Sequence, residues 1–415
     1  MTPALITETA FILHRLLTFE RPADGILSAF FRDKDKLGAR DRAFIAESAY
    51  GIIRRLRSLE HLAGGRDPRR LLLAWLARFG GHNLRQFDGL TRGDEDEWLK
   101  QVKSVNLAEL PEAVQLDLPD WLYARLAAER GDSLHALMAA LNQSAPLDLR
   151  INPLATDRDT AIAALAKDGI EAVPTPWSPL GLRVDGKPAL NRNALFAQGH
   201  IEVQDEGSQL LALLTGARRG EMVCDFCAGA GGKTLLLGAL MRNTGRLYAF
   251  DVAEKRLANL KPRLARSGLS NVQPQLIAHE RDQKIKRLAG KFDRVLVDAP
   301  CSGLGTLRRN PDLKWRQSPE SVAELVAKQA AILDSSARLL KVGGQLTYAT
   351  CSLLREENES QVEAFLAAHP NFKQVPANGI LSQLGIALDT GDTLKLDPAL
   401  HRTDGFFAAV LERCV

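Results

Sequence analysis

The sequence predicts an α/β fold: a parallel sheet flanked by helices, preceded by an all-helical region, with a small α+β module between them. Three observations predict it. From residue 204 onward, apolar strand-like runs (Met222–Phe226, Leu247–Asp251, Val272–Ala278, Phe292–Asp298 and Gln345–Thr350) alternate with helix-length amphipathic stretches. In residues 1–142 the apolar side chains recur at helical spacing instead. Between the two, Leu147, Leu149 and Ile151 alternate with Asp148 and Arg150, the period-2 pattern of a half-buried strand.

In chain order, the helical region is clearest at Asp41–Arg57, where Phe44, Ile45, Ala49, Ile52, Ile53 and Leu56 share one face. Further helical patterns cover Pro68–Phe79 and the span between Trp121 and Leu141. Basic residues gather here: Arg32, Lys34, Lys36, Arg40 and Arg42, then Arg54, Arg55 and Arg57. A solvated helix face and an RNA-facing patch explain them equally well. The middle module, residues 145–203, reads β-α-β-β, with a helix at Thr160–Lys167 and extended segments at Ile170–Pro174 and Leu182–Asp185. That order suits a ferredoxin-like or RNA-recognition-motif-like unit, although the aromatic residues that stack bases on such a sheet are missing. The third domain, 204–415, is Rossmann-like. Three domains suit a 415-residue chain at ~100–200 residues each.

Composition narrows the class. Apolar residues make up 45% and charged residues 25%, which is ordinary for a globular protein. The net charge of +4 permits nucleic-acid binding without arguing for it. Five cysteines do not make a disulfide framework in a chain this long. No run of ~18 apolar residues suggests a membrane span, and the first residues lack a secretory h-region. These features predict a cytoplasmic protein.

The run Asp225-Phe226-Cys227-Ala228-Gly229-Ala230-Gly231-Gly232-Lys233-Thr234 follows a strand and opens a helix. Glycines there admit a ligand close to the backbone, and the helix start offers free N–H groups. Asp251 ends the next strand, where a carboxylate can bind both hydroxyls of a ribose. Gly232-Lys233-Thr234 resembles the end of a P-loop, with Val295–Asp298 as its Walker B strand. A P-loop, however, needs glycine where Cys227 stands, and a dinucleotide loop needs glycine where Thr234 stands.

Two later strands end at the same sheet edge in Asp298-Ala299-Pro300-Cys301-Ser302-Gly303 and Thr350-Cys351-Ser352. One buried cysteine is unremarkable. Two that each follow a strand and precede a serine, both at the ligand-binding edge, point to nucleophilic chemistry. Cys224 and Cys227 form a C-x-x-C without the second pair that a zinc site needs, so no metal is expected.

At these residues the sequence resembles the Nol/Nop/Sun family of RNA cytosine-5 methyltransferases, nearest to its bacterial 16S ribosomal RNA branch, the B group. Further matches are Gln204–Ser208, Arg308–Asp312, Glu356–Glu359 and Asp404–Phe407. The resemblance implies S-adenosylmethionine as methyl donor, held by Cys227, Ala228, Gly229, Ala230, Gly231, Gly232, Lys233, Asp251, Asp298 and an acidic residue after the third strand, taken as Asp282. It implies Cys351 as nucleophile, Cys301 as the group that helps release the adduct, and Asp298 as a cytosine contact. In DNA cytosine-5 methyltransferases the Pro-Cys residue is the nucleophile, so the residues alone leave that choice open. The helical region is expected to be similar to NusB, an RNA-binding fold. The expected partner is 16S rRNA or an assembling small subunit, met by a monomer, with transfer RNA or a non-catalytic assembly role as alternatives. Arg308, Arg309 and Lys314 are expected at phosphates beside a flipped base.

Overall fold

The computed structural model describes residues 1–186 and 188–415. They form two compact units: Met1–Gln143 with Leu307–Pro319, and Ser144–Thr306 with Glu320–Val415.

The first unit is helical, with long helices at Pro3–Leu16, Ala23–Asp33, Ala39–Arg54 and Pro68–Arg78. Ile45, Ala49, Ile52, Ile53 and Leu56 are buried in its core, as their spacing predicts, while Phe44 packs at the margin. The basic residues of this region divide. Arg55 pairs with the buried Asp117, Arg57 bonds the Leu118 carbonyl and Asp120, and Arg42 bonds the carbonyls of Lys34, Asp35 and Leu37. Those arginines hold the helices together.

Segment 307–319 does not group with the α/β residues on either side of it, a departure from a single 204–415 domain. Trp315 Nε1 donates to the Ile53 carbonyl (2.8 Å), Arg54 donates to the Arg308 carbonyl (3.0 Å), and Asp312 accepts from Ala23 N (3.3 Å). Lys314 is 1% exposed and donates to the Arg54 carbonyl at 2.9 Å. The expectation of Lys314 at a phosphate is therefore corrected: its ammonium serves as an internal donor. Burial, opposed by Asp117, pulls that ammonium down to about 7.

The second unit contains two sheets. The smaller has β1 (Leu147–Ile151), β2 (Ala172–Pro174), β3 (Gly181–Val184) and β4 (Ile201–Val203) in the antiparallel order β2-β3-β1-β4, with a helix at Arg158–Lys167. This is the predicted β-α-β-β unit with a short fourth strand added. The larger sheet has β5 (Met222–Asp225), β6 (Arg246–Asp251), β7 (Val272–Leu276), β8 (Phe292–Asp298), β9 (Leu340–Thr350), β10 (Phe372–Val375), β11 (Leu394–Leu396) and β12 (Phe406–Arg413). Its order is β10-β12-β9-β8-β5-β6-β7, with β11 beside β12.

The five strands read from sequence are parallel to one another. β12 runs antiparallel to β9 and to its own neighbours β10 and β11, so the sheet is mixed. Alternate residues feed opposite faces. Val223, Leu247, Leu296, Ala349 and Ala408 join one core, and Cys224, Phe250, Val297, Tyr348 and Phe407 the other. With β5 central and chain excursions to either side, the strand order reverses at β5. A crevice opens there at the C-terminal strand ends, beyond Asp225, Asp251, Asp298 and Thr350. Among the described residues, no helix is long and apolar enough to cross a membrane.

Candidate active site

A cavity of about 620 Å³ lies at that edge. Its wall takes in Cys227, Ala228, Gly229, Ala230, Gly232 and Lys233 from the loop after β5, Asp251 from β6, Asp298 and Cys301 from the end of β8, and Cys351 from the end of β9. Residues far apart in sequence thus share one crevice. Gly231 stands behind it: with φ +82° it turns the chain into the helix at Gly232–Leu240, and a Cβ there would lie 2.1 Å from Leu260. Asp282 does not line the cavity. Its carboxylate accepts from Ala278 N and Lys284 N (2.9 and 2.8 Å) and caps the short helix that follows, whereas Glu280 lines the wall. An acidic residue does follow β7 at the cavity, then, but two positions earlier than expected.

The loop after β5 is braced by residues that sequence reasoning missed. Arg150 donates to the Gly232 carbonyl and Arg263 to the Ala230 carbonyl, both at 2.7 Å. Arg150 also bonds the Gln204 side chain, and Arg263 pairs with Glu202 at 2.9 Å. Period-2 alternation assigned Arg150 to a solvent face. In the structure it is 3% exposed, because that face of β1 packs on the loop after β5. Gly229 N donates to Asp251 Oδ2 and Ala253 N to Oδ1 (2.8 and 2.7 Å), which fixes the carboxylate at the strand end with lone pairs to spare. Val252 and Ile277 supply apolar wall beside it.

Asp225 is almost fully buried. Its Oδ2 accepts from Thr234 Oγ1 (2.6 Å), while Oδ1 has no hydrogen-bond partner among the described residues. Burial above all, with Asp298 and Asp251 adding repulsion, pushes its carboxyl up to about 7. An orphaned acceptor, a glycine with open space above it and a strand-end carboxylate make a wall that fits a nucleoside with a cationic tail. Lys233 pairs with Asp298 at 2.6 Å. Burial opposes its charge, but Asp298 prevails and holds the ammonium above its usual value. A P-loop lysine would instead face phosphates.

At the other end of the cavity, the Cys301 and Cys351 sulfurs stand 3.3 Å apart. The hydrogen bond to Cys351, then burial, raises the Cys301 thiol well above its ordinary range. Cys224 lies in the core, where burial raises its thiol, and Cys414 is exposed. No group of three or more His, Cys, Asp or Glu side chains suited to a metal occurs among the described residues.

Comparisons with known proteins identify the family. Residues 212–412 match the family described as 16S rRNA methyltransferase RsmB/F, and residues 118–191 match its ferredoxin-like domain. A relative from Synechocystis sp. is 34% identical over 92% of this chain and 93% of its own length. "Ribosomal RNA small subunit methyltransferase B" of Sodalis glossinidius is 34% identical over 90% of each. Among solved structures, the protein called PH0851 superposes with a TM-score of 0.81 at 28% identity, covering 100% of this chain and 99% of its own. A methyltransferase homologue from Pyrococcus horikoshii gives 0.63 at 27%, covering 74% and 100%. The chain, with its Rossmann-like sheet and ferredoxin-like module, belongs to the RsmB/F family of S-adenosylmethionine-dependent RNA methyltransferases.

Proposed function

We propose that this protein methylates C5 of a cytosine in RNA, through a covalent bond between Cys351 and C6 of the base, and that its substrate is 16S rRNA. The observation that carries the reading is the pair of cysteine sulfurs 3.3 Å apart at one end of a cavity whose other end is built for a nucleoside. S-adenosylmethionine, when bound, supplies an electrophilic methyl group. Cys227 to Lys233 and Asp251 hold the donor, with Glu280 rather than Asp282 toward its base.

Cytosine C5 is a poor nucleophile. When the Cys351 thiolate adds to C6, the ring loses aromaticity and C5 becomes enamine-like. After C5 takes the methyl group, a water molecule takes the C5 proton, the C5–H electron pair restores the C5–C6 double bond, and the Cys351 sulfur leaves with the C6–S pair as thiolate. Cys301 keeps its proton, and as hydrogen-bond donor to the Cys351 sulfur it stabilises the thiolate that leaves, which helps to release the adduct. Asp298, ion-paired with Lys233, accepts from the cytosine N4 amino group. The base has to leave its stack to reach the sulfur, which favours a loop or a single-stranded segment. The names of the relatives support small-subunit ribosomal RNA as the target.

The test is methyl transfer from labelled S-adenosylmethionine to total RNA from cells lacking this protein, with bisulfite sequencing to locate the label. A labelled cytosine in 16S rRNA is expected. Label confined to transfer RNA would retain the chemistry and replace the substrate. Donor binding without any label would turn the reading toward an assembly factor.

A further inference from the structure

The Cys301 and Cys351 loops leave separate strands, and the last ladder bond between them, Ala299 N to the Ala349 carbonyl (2.8 Å), precedes both sulfurs. Beyond it the sheet no longer sets their spacing. A buried carboxylate links the two loops there. Glu357, 0% exposed and outside the cavity wall, lies in the turn Arg355–Glu357. Its Oε1 accepts from Ser302 N (2.8 Å) and Gln329 Nε2 (3.0 Å). Its Oε2 accepts from Ser302 Oγ (2.5 Å) and Ser352 Oγ. Ser302 directly follows Cys301, and Ser352 directly follows Cys351.

The carboxylate is itself fixed. Tyr348 donates its hydroxyl to the Glu357 carbonyl at 2.6 Å, and Gln329 also donates to the Pro300 carbonyl at 3.0 Å. A buried charge persists only when its lone pairs are bonded. Here two of the four donors are the serine hydroxyls of the two loops, so the loops and the charge stabilise each other. Gly305 N donates to the Cys351 carbonyl (2.8 Å) and adds a second tie. A Cβ on Gly305 would lie 2.1 Å from the Gly405 oxygen and part it.

We propose that Glu357 is a positioning residue that, through Ser302 and Ser352, sets the separation of Cys301 and Cys351. Its consequence for catalysis rests on the cytosine-5 reading above. A glutamine in its place has one acceptor oxygen. Held toward Ser302 N and Gln329, that oxygen leaves an NH₂ facing both serine hydroxyls, which can then no longer converge as donors. The expected result is a folded protein in which the serine hydroxyls turn to accept from the NH₂ and the spacing of the loops changes.

The test uses the full-length protein, wild type and Glu357→Gln, with two readouts. The first is the rate at which diamide, taking up two hydrogens, joins Cys301 and Cys351 in a disulfide, followed by mass spectrometry of unreduced peptides. It reports sulfur separation whatever the protein methylates. The second is methyl transfer to RNA. Disulfide formation is expected to slow at least about tenfold. The kcat is expected to fall by about 10²-fold, with KM for RNA and the dissociation constant for S-adenosylmethionine within twofold of wild type. A purely structural role would move folding and donor affinity together instead.

A folded Glu357→Gln protein with wild-type disulfide and kcat values would overturn the proposal. Should Glu357→Gln fail to fold, the Ser302→Ala/Ser352→Ala pair carries the same test, since it retains the Ser302 N and Gln329 bonds to the carboxylate. A slowed disulfide in a protein whose wild type methylates no cytosine would uphold the positioning and overturn the function.

Discussion

The two ends of the cavity treat a buried carboxylate in opposite ways. At the cysteine end, Glu357 has both oxygens hydrogen-bonded, by a backbone N–H, an amide and two hydroxyls. At the glycine-loop end, Asp225 is equally buried, yet among the described residues only Thr234 bonds it, and burial above all, with its acidic neighbours, pushes it up to about 7. A saturated group belongs to a frame already complete in the protein alone. An unsaturated one costs stability and keeps an acceptor ready for something else. The cysteine end is thus complete in the protein alone, and the Asp225 end keeps an acceptor open, as the proposed donor site requires.

The largest effect that can break this contrast lies at the cysteine end. Cys351→Ala is expected to lower methyl transfer by about 10³-fold or more and to yield no covalent species. Cys301→Ala is expected to accumulate a protein–RNA adduct visible on a denaturing gel. Exchange of the two phenotypes would reverse the nucleophile assignment.

Next in size is Asp251→Ala. A hydrogen bond to a charged group contributes roughly 1.5–3 kcal/mol. Calorimetry should therefore show donor binding weakened by about 10–100-fold, while the diamide reaction of the two cysteines stays unchanged. A change in both would mean that the two ends are not independent.

A third effect is one of stability, not of rate or affinity, and is read against pH in the donor-free protein. The carboxyl of Asp225 is raised from the ordinary value 3.8 to about 7. Between those values the unfolded chain binds fewer protons than the folded one, so stability falls as pH rises through that window and levels off above about 7. The full loss is of order 4 kcal/mol. Asp225→Asn removes that slope. Urea unfolding should show the variant gaining on wild type from pH 5 to pH 8. A constant difference would show that Asp225 does not titrate there.

How far the sequence reaches depends on the range of each interaction. The loop from Cys227 to Lys233, Asp251 and the two Cys-Ser turns could be read because a strand end, a glycine or a cysteine announces itself within a few residues. The parallel strands were equally legible from their apolar runs. The short or late strands β4 and β10–β12 were not: β4 has three residues, and Phe406–Phe407 reads as a motif before it reads as a strand. Arg150 and Arg263 carried no local signal, since their partners lie tens of residues away, and of the partners of Glu357 only Ser352 is near in sequence. Glu357 sat inside a recognised run, but nothing in that run says that its carboxylate faces Ser302. Lys314 looked like any basic loop residue. Its burial comes from helices far earlier in the chain.

The helical unit is closed by a strip of sequence from far downstream, Leu307–Pro319. During synthesis its first 143 residues emerge well before that strip exists. Until Trp315 and Lys314 are made, the backbone carbonyls of Ile53 and Arg54 lack the donors that finally cap them. The helical unit is therefore completed only after the strip that follows it by more than 160 residues has been made. A fragment ending at Gln143 would lack part of its own core, and a fragment lacking the first 143 residues would expose a tryptophan and a lysine made to be covered.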